Sequence, residues 1–107
     1  MTILQEALDG MMARFNPAKA KGINAVIQIN ATGDGGGQYY ATVADAKAAL
    51  TEGTSANPTV TINVAANDWV AITSGQLDPT RAFMAGKLRI TGDLGLMMRF
   101  QRMFMPS

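Results

Sequence analysis

The sequence has neither cysteine nor histidine among its 107 residues. Without cysteine the chain forms no disulfide and has no thiolate to act as a metal ligand or a nucleophile. Without histidine it also lacks the usual general base at neutral pH and the commonest zinc ligand. Hydrolysis or group transfer would therefore depend on carboxylates or lysines alone.

The carboxylates are too scattered to supply that chemistry. Asp68, Asp78 and Asp93 are explained as residues at helix starts, and no acidic group has the spacing of a calcium-binding loop. Glu6 and Asp9 can meet on a helix surface, but no base or nucleophile accompanies them. The sequence therefore predicts a protein that is not an enzyme and has neither a metal site nor a cofactor.

Charge and hydropathy exclude two further classes of protein. The net charge is +1, so no strong electrostatic field attracts nucleic acid. No apolar run reaches the roughly 18 residues that a transmembrane helix needs, and the N-terminus lacks the basic and apolar regions of a signal peptide. We expect one domain over residues 1–107, cytoplasmic, with no nucleic-acid partner.

Periodicity along the chain predicts helices and strands in an α+β order. Thr2 and Gln5 form a capping-box pattern for a first helix that ends near Phe15, before Pro17. Alternation predicts strands at residues 23–31, 38–43, 59–64 and 87–91. The alanine-rich stretch 44–50 is interpreted as a turn and a short third strand. The glycine-rich stretch 32–37 matches no nucleotide-binding spacing and is predicted to be a hairpin loop.

Three more helices are predicted in the second half of the chain. Asn67 is expected to cap the first of them; Asp78 caps the second, with Pro79 at its first position and Gly86 at its end. Asp93 caps the terminal helix. The order of elements predicts a mostly antiparallel sheet with helices covering one face.

The terminal helix, predicted over residues 94–105, carries more apolar surface than packing on a sheet requires. At about 100° per residue its apolar side chains cover roughly 220°, against about 100° for an ordinary amphipathic helix. Only Gly95, Arg99 and Arg102 mark a polar sector. Gln101 lies inside the apolar arc and is interpreted as exposed at the helix end, with a hydrogen bond to a ligand head group as the alternative. The surplus must face a second layer, a partner chain, a membrane or an apolar ligand.

Two runs in the last third of the chain resemble the sterol carrier protein 2 (SCP-2) domain family. They are residues 74–79 (Ser-Gly-Gln-Leu-Asp-Pro) and 82–93 (Ala-Phe-Met-Ala-Gly-Lys-Leu-Arg-Ile-Thr-Gly-Asp), and residues 68–71 fit the helix before them. The resemblance implies a five-stranded, mostly antiparallel sheet covered by helices that enclose an apolar tunnel. It also implies non-enzymatic binding and transfer of fatty acids, fatty acyl-CoA, sterols or similar lipids.

Candidate lining residues for such a tunnel are large apolar side chains in or near this motif and in the terminal helix. They are Trp69, Ile72, Phe83, Met84, Leu94, Met97, Met98 and Met103. For each of them, ordinary core packing is the alternative, and methionine suits either role because its thioether adapts to irregular shapes.

Five basic residues accompany this region: Arg81, Lys87, Arg89, Arg99 and Arg102. They indicate either a solvated face or contact with an anionic head group or an anionic membrane surface. The alternative function is a protein-interaction or accessory domain that uses the apolar C-terminal helix as an interface. The sequence leaves open whether the chain is a monomer or a homodimer.

Overall fold

A computed structural model of the chain describes residues 3–104, so the predicted cap Thr2 and the last predicted helical residue, Met105, lie outside the described residues. The elements follow in the order α1 (Ile3–Ala13), a 3₁₀ turn (Pro17–Ala20), β1 (Ala25–Thr32), β2 (Gly37–Ala44), β3 (Lys47–Glu52), β4 (Val60–Ala65), α2 (Ala66–Thr73), α3 (Pro79–Met84), β5 (Leu88–Gly92) and α4 (Leu94–Phe104). In this part of the chain, every helix is too short or too polar to cross a membrane.

The five strands form one sheet in the order β3-β2-β1-β4-β5. Three of its pairings are antiparallel, and the central pairing, β1 with β4, is parallel. The expected five-stranded, mostly antiparallel sheet is therefore confirmed, including the short third strand. The parallel pair was not predicted, because strand patterns do not show that the chain passes from the edge strand β3 across to the far side of β1.

One face of the sheet forms the core. Alternate residues point to it, including Ile27 and Ile29 of β1, Ile62 of β4 and Leu88 of β5, all of them buried. Helix α1 contacts β3, α2 contacts β1 and β4, and α4 contacts β4. These three helices cover the apolar face, as the sequence predicts.

The opposite face carries the connection from β3 to β4, which Gln28 holds in place. This side chain is only 2% exposed. Its Nε2 donates to the carbonyl oxygens of Tyr39 and Gly53, at 3.1 Å each, and its Oε1 accepts from the backbone N–H of Ser55 at 2.7 Å. Because buried polar groups need such partners, Gln28 ties the crossover to the middle of the sheet.

Two hairpins join the first three strands. The glycine-rich stretch is a hairpin loop, as predicted, and a Cβ at Gly36 would lie 2.3 Å from the carbonyl oxygen of Ala31. The second turn contains Asp45 and Ala46, both with positive φ, at 54° and 58°. Such torsions match the right-handed twist of the flanking strands.

The helix starts confirm two predicted caps and correct a third. The Asp78 carboxylate accepts from the N–H of Arg81 at 3.1 Å, and Asp93 accepts from the N–H of Leu96 at 3.2 Å. The expected cap at Asn67 is wrong, because α2 begins two residues earlier than that cap implies, at Ala66, and its cap residue, Ala65, makes no side-chain bond. Strand β4 runs directly into α2, so no loop residue is left to serve as a cap.

The first helix is shorter than expected. It ends at Ala13 rather than near Phe15. The chain then enters a 3₁₀ turn that the sequence analysis missed, where the Asn16 side chain accepts from the N–H of Ala18 at 3.0 Å. Pro17 at the first position of that turn explains why an α-helix does not continue through it.

Candidate functional site

The inner face of α4 is packed into the core by a row of aromatic rings. Phe100 lies 6.1 Å from Trp69 of α2 and 5.0 Å from Phe104, measured between ring centroids. Phe104 in turn lies 5.1 Å from Phe15, just after α1. All of these rings except the half-buried Phe15 are buried. One side of α4 is therefore held against both α2 and the end of α1.

The C-terminal end of α4 is fixed by hydrogen bonds from the segment after α1. The Arg14 guanidinium donates to the carbonyl oxygen of Thr73 at 2.6 Å and to that of Phe104 at 3.3 Å. The backbone N–H of Asn16 donates to the carbonyl oxygen of Met103 at 2.8 Å. A cation at the carboxyl ends of two helices also complements their dipoles. Arg14 therefore joins the ends of α2 and α4.

The start of α4 is fixed by a close approach between the end of β5 and the residue that precedes β4. Gly92 has a φ of 109°, and a Cβ there would lie 2.5 Å from the carbonyl oxygen of Thr59. The next N–H, that of Asp93, donates to the same oxygen at 3.2 Å. Only glycine permits this approach. It brings Asp93 to the position from which its side chain caps α4.

The outer face of α4 carries the surplus apolar surface. Leu94 is 54% exposed and Met98 is 66% exposed, while Gln101, near them on the same helix, is half-buried. The neighbouring helix α3 adds Phe83, which is 45% exposed, and Met84, which is 80% exposed. Four large apolar side chains are therefore exposed on α3 and α4, more than a single exposed apolar residue, which would need no explanation.

Two adjoining clefts run along this outer face. The larger has a volume of about 890 Å³ and lies between α4 and the connection from α2 to α3. The smaller has a volume of about 170 Å³ and lies between α4, α3 and β5. Both are open to solvent, and they share Pro79, Thr80 and Gln101. The structure therefore places one continuous, partly apolar surface beside α4.

Five of the eight residues predicted to line a lipid site line one cleft or the other. Ile72 and Met98 line the larger, and Phe83, Leu94 and Met97 line the smaller. Trp69 and Met103 are buried in the core and line neither cleft. Met84 is exposed and also lines neither cleft. That the five contact a ligand stays a prediction.

Gln101 is the lining residue whose placement the sequence analysis misjudged. It was interpreted as exposed at a helix end, whereas it is half-buried and borders both clefts. The signal was present, because a single amide inside an apolar helical arc is out of pattern. The alternative interpretation, an amide placed to meet a head group, stays a prediction.

Trp69 has a buried donor without a partner. Its indole Nε1 is the one buried side-chain polar atom within residues 3–104 that has no hydrogen bond. An unsatisfied buried donor costs about 1–3 kcal/mol. Trp69 therefore carries a cost that its packing, including the contact with Phe100, must offset.

The larger cleft has an excess of positive charge. Arg81 and Arg102 line it, both are exposed, and neither side chain forms an ion pair or a hydrogen bond with any residue of the described range. The one carboxylate on the lining, Asp78, is engaged in capping α3. Nowhere in residues 3–104 do three or more acidic side chains gather as a metal site would require.

Comparison with known proteins agrees with this architecture. A family model described as the SCP-2 sterol transfer family matches residues 5–105. Hydroxysteroid dehydrogenase-like protein 2 of Xenopus tropicalis is 27% identical over 100 residues, which cover 92% of this chain and 24% of that protein. Human sterol carrier protein 2 is 44% identical over 43 residues, which cover 40% of this chain and 8% of that protein.

A solved structure shows the same fold. The solution structure of palmitated SCP2L2 from Aedes aegypti superposes with a TM-score of 0.74 at 25% identity, and the alignment covers 95% of this chain and 93% of that one. The chain spans about a quarter of the length of the Xenopus relative, so that likeness concerns one part of a longer protein. With the family model matching nearly end to end and the fold shared, the chain belongs to the SCP-2 sterol transfer family.

Proposed function

We propose that the chain binds a lipid in the adjoining clefts beside α4 and transfers it without catalysing a reaction. The observation that carries the proposal is the outer face of α4, where Leu94 and Met98 line open clefts instead of packing in the core. A relative whose structure is described as palmitated supports a fatty acyl chain as one class of ligand. Sterols and fatty acyl-CoA are further members of the proposed class.

The free energy of burying an acyl chain is sufficient for useful affinity. One methylene contributes about 0.8 kcal/mol, so about 14 of them contribute roughly 11 kcal/mol. Association and ordering cost about 4 kcal/mol or more. The difference corresponds to a dissociation constant in the micromolar range. Affinity is therefore expected to rise with chain length more than with head-group chemistry.

Full burial of such a chain requires α4 to move. The smaller cleft, at about 170 Å³, is below the volume of roughly 300–1,000 Å³ typical of ligand sites. Moving α4 away from the sheet would enlarge it into the tunnel that the family resemblance implies.

Lipid uptake by the purified protein tests the proposal directly. Native mass spectrometry of gently purified protein, followed by lipid extraction, is expected to show a bound lipid, and the delipidated protein is expected to take up a fluorescent fatty acid. The single tryptophan, Trp69, lies beside α4, so its emission is expected to change on loading. A protein that is empty and takes up neither fatty acids nor sterols would contradict the proposal.

Matched substitutions locate the site. Leu94→Asp and Met98→Asp place a charge in the clefts and are expected to weaken fatty-acid uptake by about tenfold or more. Met84→Asp is the control, since Met84 is even more exposed but lines neither cleft. If all three substitutions weaken uptake equally, the clefts are not the site.

A second candidate function is an interaction domain, favoured by the exposure of Met84 and Met98. The surplus apolar surface would then be the interface of a homodimer or of a partner protein. Sedimentation distinguishes the two functions: a concentration-dependent dimer that Met98→Glu dissociates, with no lipid uptake by the monomer, favours the interface. Contact with anionic membranes and a cytoplasmic location stay predictions.

A further inference from the structure

We propose that Arg81 and Arg102 bind the anionic head group of the lipid in the larger cleft, while its chain extends past Gln101 into the smaller one. This inference rests on the proposed lipid binding and adds the position and charge of the head group. The ligand class is a single-chain lipid whose head group carries anionic oxygens, such as the carboxylate of a fatty acid or the phosphates of a coenzyme A thioester.

The two clefts differ in chemistry as the two ends of such a lipid do. The smaller is bordered mainly by apolar side chains, among them Phe83, Ile90 and Leu94. The larger is bordered by two arginines, Arg81 of α3 and Arg102 of α4. An amphiphile that spans both clefts would meet apolar groups at one end and cations at the other.

The two arginines are available for a ligand. Arg14 shows how this chain uses a guanidinium structurally, with two bonds to backbone carbonyl oxygens. Arg81 and Arg102 have no such side-chain bonds and no ion pair within residues 3–104. Guanidinium groups present paired donors that match carboxylate and phosphate oxygens. Asp78 on the same lining would repel an anion, which leaves the cleft with a net single positive charge.

Gln101 lies at the junction of the two clefts. It is half-buried and is the one α4 residue that borders both. An amide offers a donor and an acceptor in fixed geometry. At this junction it can donate to the carbonyl or carboxylate oxygen where the head group meets the chain, and it therefore fixes the register of the lipid along α4.

A three-ligand comparison tests the inference. Dodecanoate, dodecanol and dodecanoyl-CoA share one chain length and differ in head group, so titration calorimetry at low salt isolates the contribution of charge. In the double variant Arg81→Gln/Arg102→Gln, affinity for dodecanoate is expected to fall roughly tenfold, with dodecanol unchanged within about twofold. Added salt is expected to weaken dodecanoate binding to the unsubstituted protein and to leave dodecanol binding unchanged.

The matched control is the double variant Arg99→Gln/Arg89→Gln. It removes the same charge from two exposed residues that line neither cleft, and is expected to bind all three ligands normally. The variant Arg81→Lys/Arg102→Lys keeps the charge and is expected to recover part of the dodecanoate affinity. If Arg81→Gln/Arg102→Gln loses more affinity for dodecanoyl-CoA than for dodecanoate, the preferred head group is phosphate rather than carboxylate.

Three outcomes overturn the inference. Equal losses for acid and alcohol would show that the arginines shape the cleft without recognising charge. Equal losses in both double variants would show that only net charge matters. A loss of binding to anionic vesicles, with dodecanoate affinity intact, would assign the arginines to a membrane surface. If the unsubstituted protein binds none of the ligands, lipid binding itself fails, which is a distinct result.

Discussion

The two long faces of α4 carry similar side chains in opposite surroundings. Met97 and Met103 are buried on the inner side, whereas Met98 on the outer side is two-thirds exposed, at 66%. The inner face meets aromatic rings from α2 and the segment after α1, while the outer face meets the open clefts beside α3. The neighbouring elements, and not the type of residue, decide which half of this helix stabilises the fold and which half is free to bind.

The largest expected effect comes from emptying the centre of the inner face. Phe100→Ala removes a fully buried ring that contacts both Trp69 and Phe104, so the free energy of unfolding is expected to fall by about 3–5 kcal/mol. Urea denaturation followed by circular dichroism measures it. A loss below about 1 kcal/mol would mean that the inner face is not the anchored one.

The two methionines Met103 and Met98 form a direct test of the contrast. Met103→Ala leaves a cavity in the core and is expected to cost about 2–5 kcal/mol. Met98→Ala changes an exposed residue and is expected to alter stability by less than about 0.5 kcal/mol, while weakening lipid uptake. Parallel thermal unfolding and uptake assays measure both. Similar destabilisation by the two changes would abolish the distinction between the faces.

Removing the Arg14 guanidinium tests the C-terminal attachment of α4. Arg14→Ala deletes the bonds to the carbonyl oxygens of Thr73 and Phe104 and is expected to cost about 1–3 kcal/mol. Amide hydrogen exchange is expected to speed up in the last turn of α4 more than in the sheet. Arg14→Lys keeps the charge but cannot reproduce the paired bonds. Its stability is expected to lie between those of the unsubstituted protein and Arg14→Ala.

The smallest expected effect is at the N-terminus of α4. Asp93→Ala removes the bond to the N–H of Leu96, and loss of a helix cap costs about 1 kcal/mol. Asp93→Asn, which can still cap, is the control. Because the first turn of α4 borders the smaller cleft through Leu94, faster exchange of lipid is expected alongside the lower melting temperature.

The sequence predicts this contrast in part. The surplus apolar arc of the terminal helix follows from spacing alone, and Leu94 and Met98 are indeed its exposed members. Spacing cannot show which apolar residues the tertiary fold covers, so Trp69 and Met103 were grouped with the cleft residues although they lie in the core. The misplaced cap at Asn67 has a similar cause, since a cap pattern does not reveal that a strand continues into the helix.

The crossover from β3 to β4 was also beyond prediction, for a different reason. Strand alternation predicts four of the five strands and the alanine-rich stretch is interpreted as the other, but pairing depends on where the connections run. The burial of Gln28 was the clue, because a glutamine fixed at the centre of a sheet needs partners from a segment that crosses it. Alternation alone assigns such a residue to the solvent face.

The parallel pair at the centre of the sheet has a consequence for the speed of folding. The hairpins β1–β2 and β2–β3 close short loops, whereas Ile27 pairs with Val60 across about 30 intervening residues. The entropy of closing that loop is lost before the strands gain their contacts, so this step is expected to limit the folding rate. Strand β5 and helix α4, which border the clefts, follow β4 in the chain and are expected to dock last, so the side of the molecule that carries the clefts is expected to form late.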